Sequence, residues 1–116
     1  MTSRIYTVTV DCADPARLAE FWSAVLGWRI DDDGSEDEIS IEPEDDLDTA
    51  LLFLRVPEGK AGKNRIHFDL APDDQDAEVA RLEKLGASRI DIGQGEESWV
   101  VMGDPEGNEF CVLTPR

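Results

Sequence analysis

The single histidine of this chain, His67, lies in the run Arg65-Ile66-His67-Phe68-Asp69-Leu70. An imidazole titrates near neutrality, so in a cleft it serves as a general base or a hydrogen-bond donor. Asp69 stands two residues on, on the same side of an extended chain, where a carboxylate can orient the ring. The same alternation equally suits a histidine that only pairs locally on a strand surface. Cys111 shares a side with Glu109 and Leu113. It becomes a nucleophile if a neighbour such as His67 lowers its pKa, and otherwise packs as a small buried hydrophobe. Arg55 and Arg65 carry planar forks suited to a bidentate anion, or to plain salt bridges with Asp11 or Asp69. Trp99 either lines a cleft, where it would suit a flat organic ligand, or packs beneath a helix.

Positioning these groups falls to a set of elements that occurs twice. Residues 5–12 alternate, with Tyr6, Val8 and Val10 opposite Thr7, Thr9 and Asp11; this predicts a strand with one buried face. Asp14-Pro15 supplies an N-cap and a first-turn proline. Leu18, Phe21, Trp22, Val25 and Leu26 follow at i, i+3, i+4, i+7 and i+8, one face of a helix that Gly27 ends. Further strands are predicted at 28–31, 38–42 and 50–56, and Pro57 to Gly62 form a connecting loop. Residues 64–70 then alternate, with Ile66, Phe68 and Leu70 opposite Arg65, His67 and Asp69. A helix capped near Asp74 turns Val79, Leu82 and Leu85 inward and stops at Gly86. Strands are predicted at 88–92, 98–102 and 109–114, and Asp104-Pro105-Glu106-Gly107-Asn108 has the chemistry of a tight turn.

Composition sets the outer limits. The 116 residues suit one domain and include 41% hydrophobic residues, enough for a core. With 11 Lys+Arg against 27 Asp+Glu the net charge is −16, which argues against nucleic acid and against anionic membrane surfaces. No apolar run approaches about 18 residues, so no membrane span is expected. Met1-Thr2-Ser3-Arg4 lacks the apolar core of a signal peptide, and a cytoplasmic location is expected. Cys12 and Cys111 are too few for a disulfide scaffold and stand in no CxxC or CxxH spacing, so both are expected as reduced thiols. Eleven of the 27 acids fall in residues 31–48 with no Lys or Arg among them. They lack the ligand spacing of a calcium loop and read as a solvated hairpin region.

The βαβββ order repeats at about 60 residues, a period that signals duplicated supersecondary units. Leu26-Gly27-Trp28-Arg29-Ile30 is echoed by Leu85-Gly86-Ala87-Ser88-Arg89-Ile90, Arg4-Ile5 by Arg65-Ile66, and Val56-Pro57 by Thr114-Pro115. The segments Asp14-Pro15…Phe21-Trp22…Val25-Leu26-Gly27-Trp28, Lys63 to Leu70, and Asp104-Pro105-Glu106-Gly107-Asn108-Glu109-Phe110-Cys111 together resemble the vicinal oxygen chelate superfamily of glyoxalase I, bleomycin-resistance proteins and extradiol dioxygenases. Within it, the chain is similar to the glyoxalase-like domain proteins. The resemblance spans nearly the whole chain. It implies an α+β fold: one domain over residues 1–116, with module 1 at about 1–57 and module 2 at about 64–116. The resemblance further implies that the sheets of the two modules curl into a half-barrel with the helices on its outer face.

In metal-dependent members of that superfamily, four ligands come from the first and last strands of each module. The resemblance carries those positions onto Thr7, about Phe53, His67 and Cys111. Only His67 is an ordinary ligand. His plus Cys without a carboxylate suits Mg²⁺, Mn²⁺ or Ni²⁺ poorly, so neither metal nor other cofactor is expected. What the resemblance then implies is a metal-independent small-molecule binder of the bleomycin-resistance type. Its cleft would be lined by Thr7, Phe53, Arg55, His67, Asp69 and Cys111, in a homodimer. Two alternatives stand beside it. One is a glyoxalase-type lyase or isomerase with a non-standard metal site, in which His67 is the best catalytic candidate. The other is a degenerate scaffold for protein partners.

Overall fold

The computed structural model describes residues 2–45 and 49–116; Asp46, Leu47 and Asp48, part of the acidic run, lie outside that set. The chain divides into two units, residues 1–59 and 60–116.

In the first unit, Asp14 caps the helix Pro15–Leu26 (α1) by accepting from the Arg17 N–H at 3.2 Å. Gly27, at φ 69°, turns left-handed so that its N–H reaches the Ser23 carbonyl at 2.8 Å. The strands Thr7–Cys12 (β1), Arg29–Ile30 (β2), Glu38–Glu42 (β3) and Ala50–Arg55 (β4) form a mixed sheet in the order β1-β4-β3-β2. β1 runs parallel to β4, and the other pairs are antiparallel. α1 covers one face of this sheet. Its Leu18, Phe21 and Trp22 are buried with Ile41, Leu51 and Phe53, and the Phe21 and Trp22 rings meet edge to face at 5.2 Å.

The register decides which face each residue serves. Val10, Phe53 and Ile39 stand side by side, and Phe53 is 0% exposed. Phe53 is therefore core beneath α1, and the expected cleft position belongs to its neighbour Leu52, in register with Thr9 and Ser40 on the open face. β1 also begins at Thr7 rather than Ile5, because its partner strand begins at Ala50; Ile5 and Tyr6 are left exposed.

In the second unit, Asp74 caps the helix Gln75–Leu85 (α2) by accepting from the Ala77 N–H at 3.0 Å. Asp69–Leu70 (β5), Ser88–Arg89 (β6), Val100–Gly103 (β7) and Glu109–Val112 (β8) form a second mixed sheet in the order β5-β8-β7-β6. Here β5 is the strand parallel to its neighbour β8. Val79 and Leu82 of α2 are buried with Met102, Phe110 and Val112. The strand expected at 64–70 narrows to Asp69–Leu70. Phe68 still accepts from the Cys111 N–H at 2.8 Å, but Ile66, expected on one strand face with Phe68 and Leu70, precedes the strand and is 81% exposed. β6 stops at Arg89 because the next residues turn instead: the Gly93 N–H donates to the Asp91 carboxylate, and the Ile92 N–H to the Gln94 amide oxygen, each at 2.8 Å. The fold is α+β, two βαβββ modules each with a helix on one face of its sheet. No described helix is long and apolar enough to cross a membrane.

Candidate functional site

The β7–β8 turn sets the frame of the second unit's open face. Asp104 is only 4% exposed. Its Oδ1 accepts from the backbone N–H groups of Glu106 at 2.9 Å and Asn108 at 3.0 Å, and its Oδ2 accepts from the Asn108 side-chain amide at 3.0 Å. Gly107, at φ 83°, lets the chain reverse while its N–H donates to the Asp104 carbonyl at 2.8 Å. The turn fixes β8 against β7, and β8 in turn sets Cys111 opposite Asp69.

A cavity of about 310 Å³ opens on this face. Its apolar lining includes Ile92, Trp99, Val101 and Leu113, and its polar lining includes Lys63, His67 and Asp69. His67 Nε2 lies 3.3 Å from Asp69 Oδ1, with the two side chains 43% and 51% exposed. Cys111 sits between the strands, 7% exposed. Burial pushes the Cys111 thiol up, and the charge of Asp69 and a hydrogen bond to it add to the rise, with Lys63 opposing. Cys111 is therefore a protonated thiol at neutral pH, a poor nucleophile. Glu109 closes one side of the cavity by accepting from Lys60 Nζ at 2.8 Å and from the Asn64 N–H at 2.9 Å. Burial opposes its charge, but those two donors outweigh it and hold Glu109 below the ordinary carboxylate range. The clamp ties the segment leading to Lys63 and His67 onto β8.

Of the six residues expected in the cleft, His67, Asp69 and Cys111 come together in the second unit, and all three line its cavity. Thr7, Phe53 and Arg55 belong to the first. Thr7 lines a separate cavity of about 420 Å³ on that unit's open face, with Ser40, Glu42 and Leu52. Arg55 ties the end of β4 down: it pairs with Asp37 at 3.0 Å and donates to the carbonyls of Ala13 at 2.7 Å and Glu36 at 3.0 Å. Arg65 is exposed and does not line the second unit's cavity. Sequence reasoning missed Lys63, Ile92 and Gln94, which reach the cavity from irregular segments without a periodic pattern.

The two sheets can be matched residue by residue. Thr9 faces Leu52 as Asp69 faces Cys111, so Thr7, Thr9 and Leu52 occupy the places of His67, Asp69 and Cys111. Thr7 and Leu52 thus stand where the superfamily's first module supplies two metal ligands, and neither offers an imidazole, thiolate or carboxylate. The superfamily's four-ligand metal site does not fit this chain. The second unit has its own donors: an imidazole nitrogen of His67, a carboxylate oxygen of Asp69 and Sγ of Cys111 lie within 4.8 Å of one another. Among the described residues this is the only group of three or more such side chains so placed.

In comparisons with known proteins, no curated protein matches the chain in sequence. Solved structures match its fold. A glyoxalase/bleomycin resistance protein/dioxygenase family enzyme from Burkholderia phytofirmans PsJN aligns with a TM-score of 0.75 at 17% identity, over 98% of this chain and 100% of its own. A fosfomycin resistance protein from Mesorhizobium loti aligns with a TM-score of 0.72 at 19% identity, over 100% and 95%. An antibiotic binding protein from Streptomyces sp. CB03234 aligns with a TM-score of 0.66 at 21% identity, over 99% and 98%. The family model described as a glyoxalase-like domain matches residues 7–113. With the paired βαβββ modules, that match places the chain in the glyoxalase-like domain family of the vicinal oxygen chelate superfamily.

Proposed function

We propose that the protein binds a flat, partly apolar organic molecule in the open cavity of its second unit, without the superfamily's four-ligand metal site. The observation that carries this is the lining: Ile92, Trp99, Val101 and Leu113 supply an apolar wall, and His67, Asp69 and Lys63 supply a few converging polar groups. That balance is typical of small-molecule sites. The antibiotic-binding and fosfomycin-resistance functions of two structural neighbours support a sequestering role. A net charge of −16 favours the approach of cationic ligands by long-range steering. The proposal extends to a cytoplasmic homodimer; light scattering of the purified protein checks the dimer.

Thermal-shift screening against aromatic and cationic metabolites and antibiotics tests the binding, since a ligand of the native state raises Tm. Trp99→Ala removes the largest apolar wall and should weaken a hit about 10- to 100-fold in calorimetric titration. Equal affinity in wild type and Trp99→Ala would overturn the assignment of this cavity. A second reading, favoured by the 3.3 Å His67–Asp69 pair, is a lyase or isomerase in which the carboxylate orients His67 as a base. Turnover of a hemithioacetal that disappears in His67→Ala would support it, and a complete lack of turnover would remove it.

A further inference from the structure

The superfamily's ligand positions fail in the first unit, yet the second unit holds a donor set complete in itself. We propose that His67, Asp69 and Cys111 form a single-unit site for one borderline-soft divalent cation of the zinc class. It differs from the four-ligand arrangement in composition and in source: the carboxylate comes from Asp69, two residues beyond the histidine, and nothing is drawn from the first unit.

Geometry comes first. Bonds of about 2.0–2.3 Å at tetrahedral angles put donor atoms about 3.4 Å apart. His67 Nε2 and Asp69 Oδ1 already stand 3.3 Å apart, and all three donors lie within 4.8 Å of one another. The remaining adjustment needs only side-chain rotation of His67 and Asp69, which are about half exposed. Cys111 is the fixed point, held on β8 by the Asp104 turn and by its N–H bond to Phe68.

Donor chemistry then selects the ion. A thiolate and an imidazole disfavour Mg²⁺ and Ca²⁺, which take all-oxygen shells, whereas one sulfur, one nitrogen and one oxygen suit Zn²⁺ and Co²⁺. Three protein ligands leave a fourth position open, as in metal sites that bind water or substrate. All three donors line the cavity walled by Trp99 and Leu113, so a molecule held there would be beside the ion. The metal binds sulfur as the thiolate, so binding releases the Cys111 thiol proton to solvent.

This site does not depend on the organic-ligand proposal, and the test uses no organic ligand. Metal-free full-length protein is titrated with Co²⁺, following the thiolate-to-cobalt absorption band, and with Zn²⁺ against a chromophoric chelator. The expected result is one equivalent bound with the charge-transfer band, loss of the band in Cys111→Ser, and affinity weakened roughly tenfold or more in His67→Ala and in Asp69→Asn. Thr7→Ala and Leu52→Ala, at the matching positions of the first unit, should bind as wild type. Far-UV circular dichroism checks that each variant is folded. A missing band in folded wild type, binding that survives in both Cys111→Ser and His67→Ala, or binding competed equally by Ca²⁺ overturns the site. Trp99→Ala separates the two proposals: it should lose the organic ligand and keep the metal.

Discussion

Replacing Asp104 by alanine should loosen the turn that sets the register of Cys111. The carboxylate is 4% exposed and accepts two backbone N–H groups and the Asn108 amide at 2.9–3.2 Å. Hydrogen bonds to a charged acceptor contribute about 1.5–3 kcal/mol each. Two lost backbone partners would then cost up to about 6 kcal/mol, but Glu106 and Asn108 are half-buried, and water takes over part of the bonding. A net loss of about 2–3 kcal/mol is expected. An unfolding entropy of about 2.1 cal/mol/K per residue, over 116 residues, converts each kcal/mol into about 4 °C, so Tm should fall by about 8–12 °C. Asp104→Asn keeps an oxygen for the two backbone donors and turns an NH₂ group toward the Asn108 amide, so it should lose only about 4 °C. Differential scanning calorimetry measures both shifts, and urea titration checks that m is unchanged. Alkylation of Cys111 under native conditions should quicken in Asp104→Ala as β8 loosens. A Tm for Asp104→Ala within about 2 °C of wild type, or an Asp104→Asn as damaging as Asp104→Ala, would refute the account.

Phe53→Ala should cost about 3–5 kcal/mol, because it empties a fully buried site. Leu52→Ala on the half-buried open face should cost about half that or less; a reversed ranking in urea denaturation would show that the register is wrong. Gly27→Ala forces a side chain to φ 69° and should lower stability by about 1 kcal/mol, read as an earlier urea midpoint. The bidentate Arg81 bond, with Arg81 Nε 2.6 Å from Glu78 Oε1, holds the Glu78 carboxyl below its ordinary 4.5, over the opposing effect of burial. A depressed carboxylate pKa stabilises the fold above pH 4.5, and that contribution is lost as pH falls through the folded value. Glu78→Gln should therefore be about 0.5 kcal/mol less stable than wild type at neutral pH, and the two stability curves should converge in acid.

Much of the frame is legible in the sequence because local rules and tertiary demands agree there. Asp14-Pro15, the Leu18-Phe21-Trp22-Val25 stripe and Gly27 mark α1, and each does in the structure what its chemistry suggests. Strand ends are less legible, since they depend on where a distant partner begins: Ile5 and Tyr6 alternate well but precede the paired register, which starts with Thr7 opposite Ala50. The β4 face is harder still. Residues 50–56 read Ala-Leu-Leu-Phe-Leu-Arg-Val, apolar on both sides, so alternation cannot say whether Leu52 or Phe53 faces the cavity, and a slip of one residue inverts the answer. In the site, the Arg-x-His-x-Asp spacing puts His67 and Asp69 on one side, as the structure has them. The third member depends on the pairing of β5 with β8, a contact between residues distant in sequence. Trp99 joins them from just before β7.

Thr7, Thr9 and Leu52 hold in one sheet the places that His67, Asp69 and Cys111 hold in the other. The repeat of the βαβββ frame carries the imidazole, carboxylate and thiol on one copy alone. The bare copy is then a built-in control of the same chain: whatever the equipped face does beyond the bare one is owed to three side chains and their surroundings, not to the βαβββ frame. It is also a place to build. Thr7→His, Thr9→Asp and Leu52→Cys would graft the trio onto the first unit without touching a residue of the buried core, and the behaviour of that graft would show whether the trio suffices when Trp99 and Lys63 are not beside it.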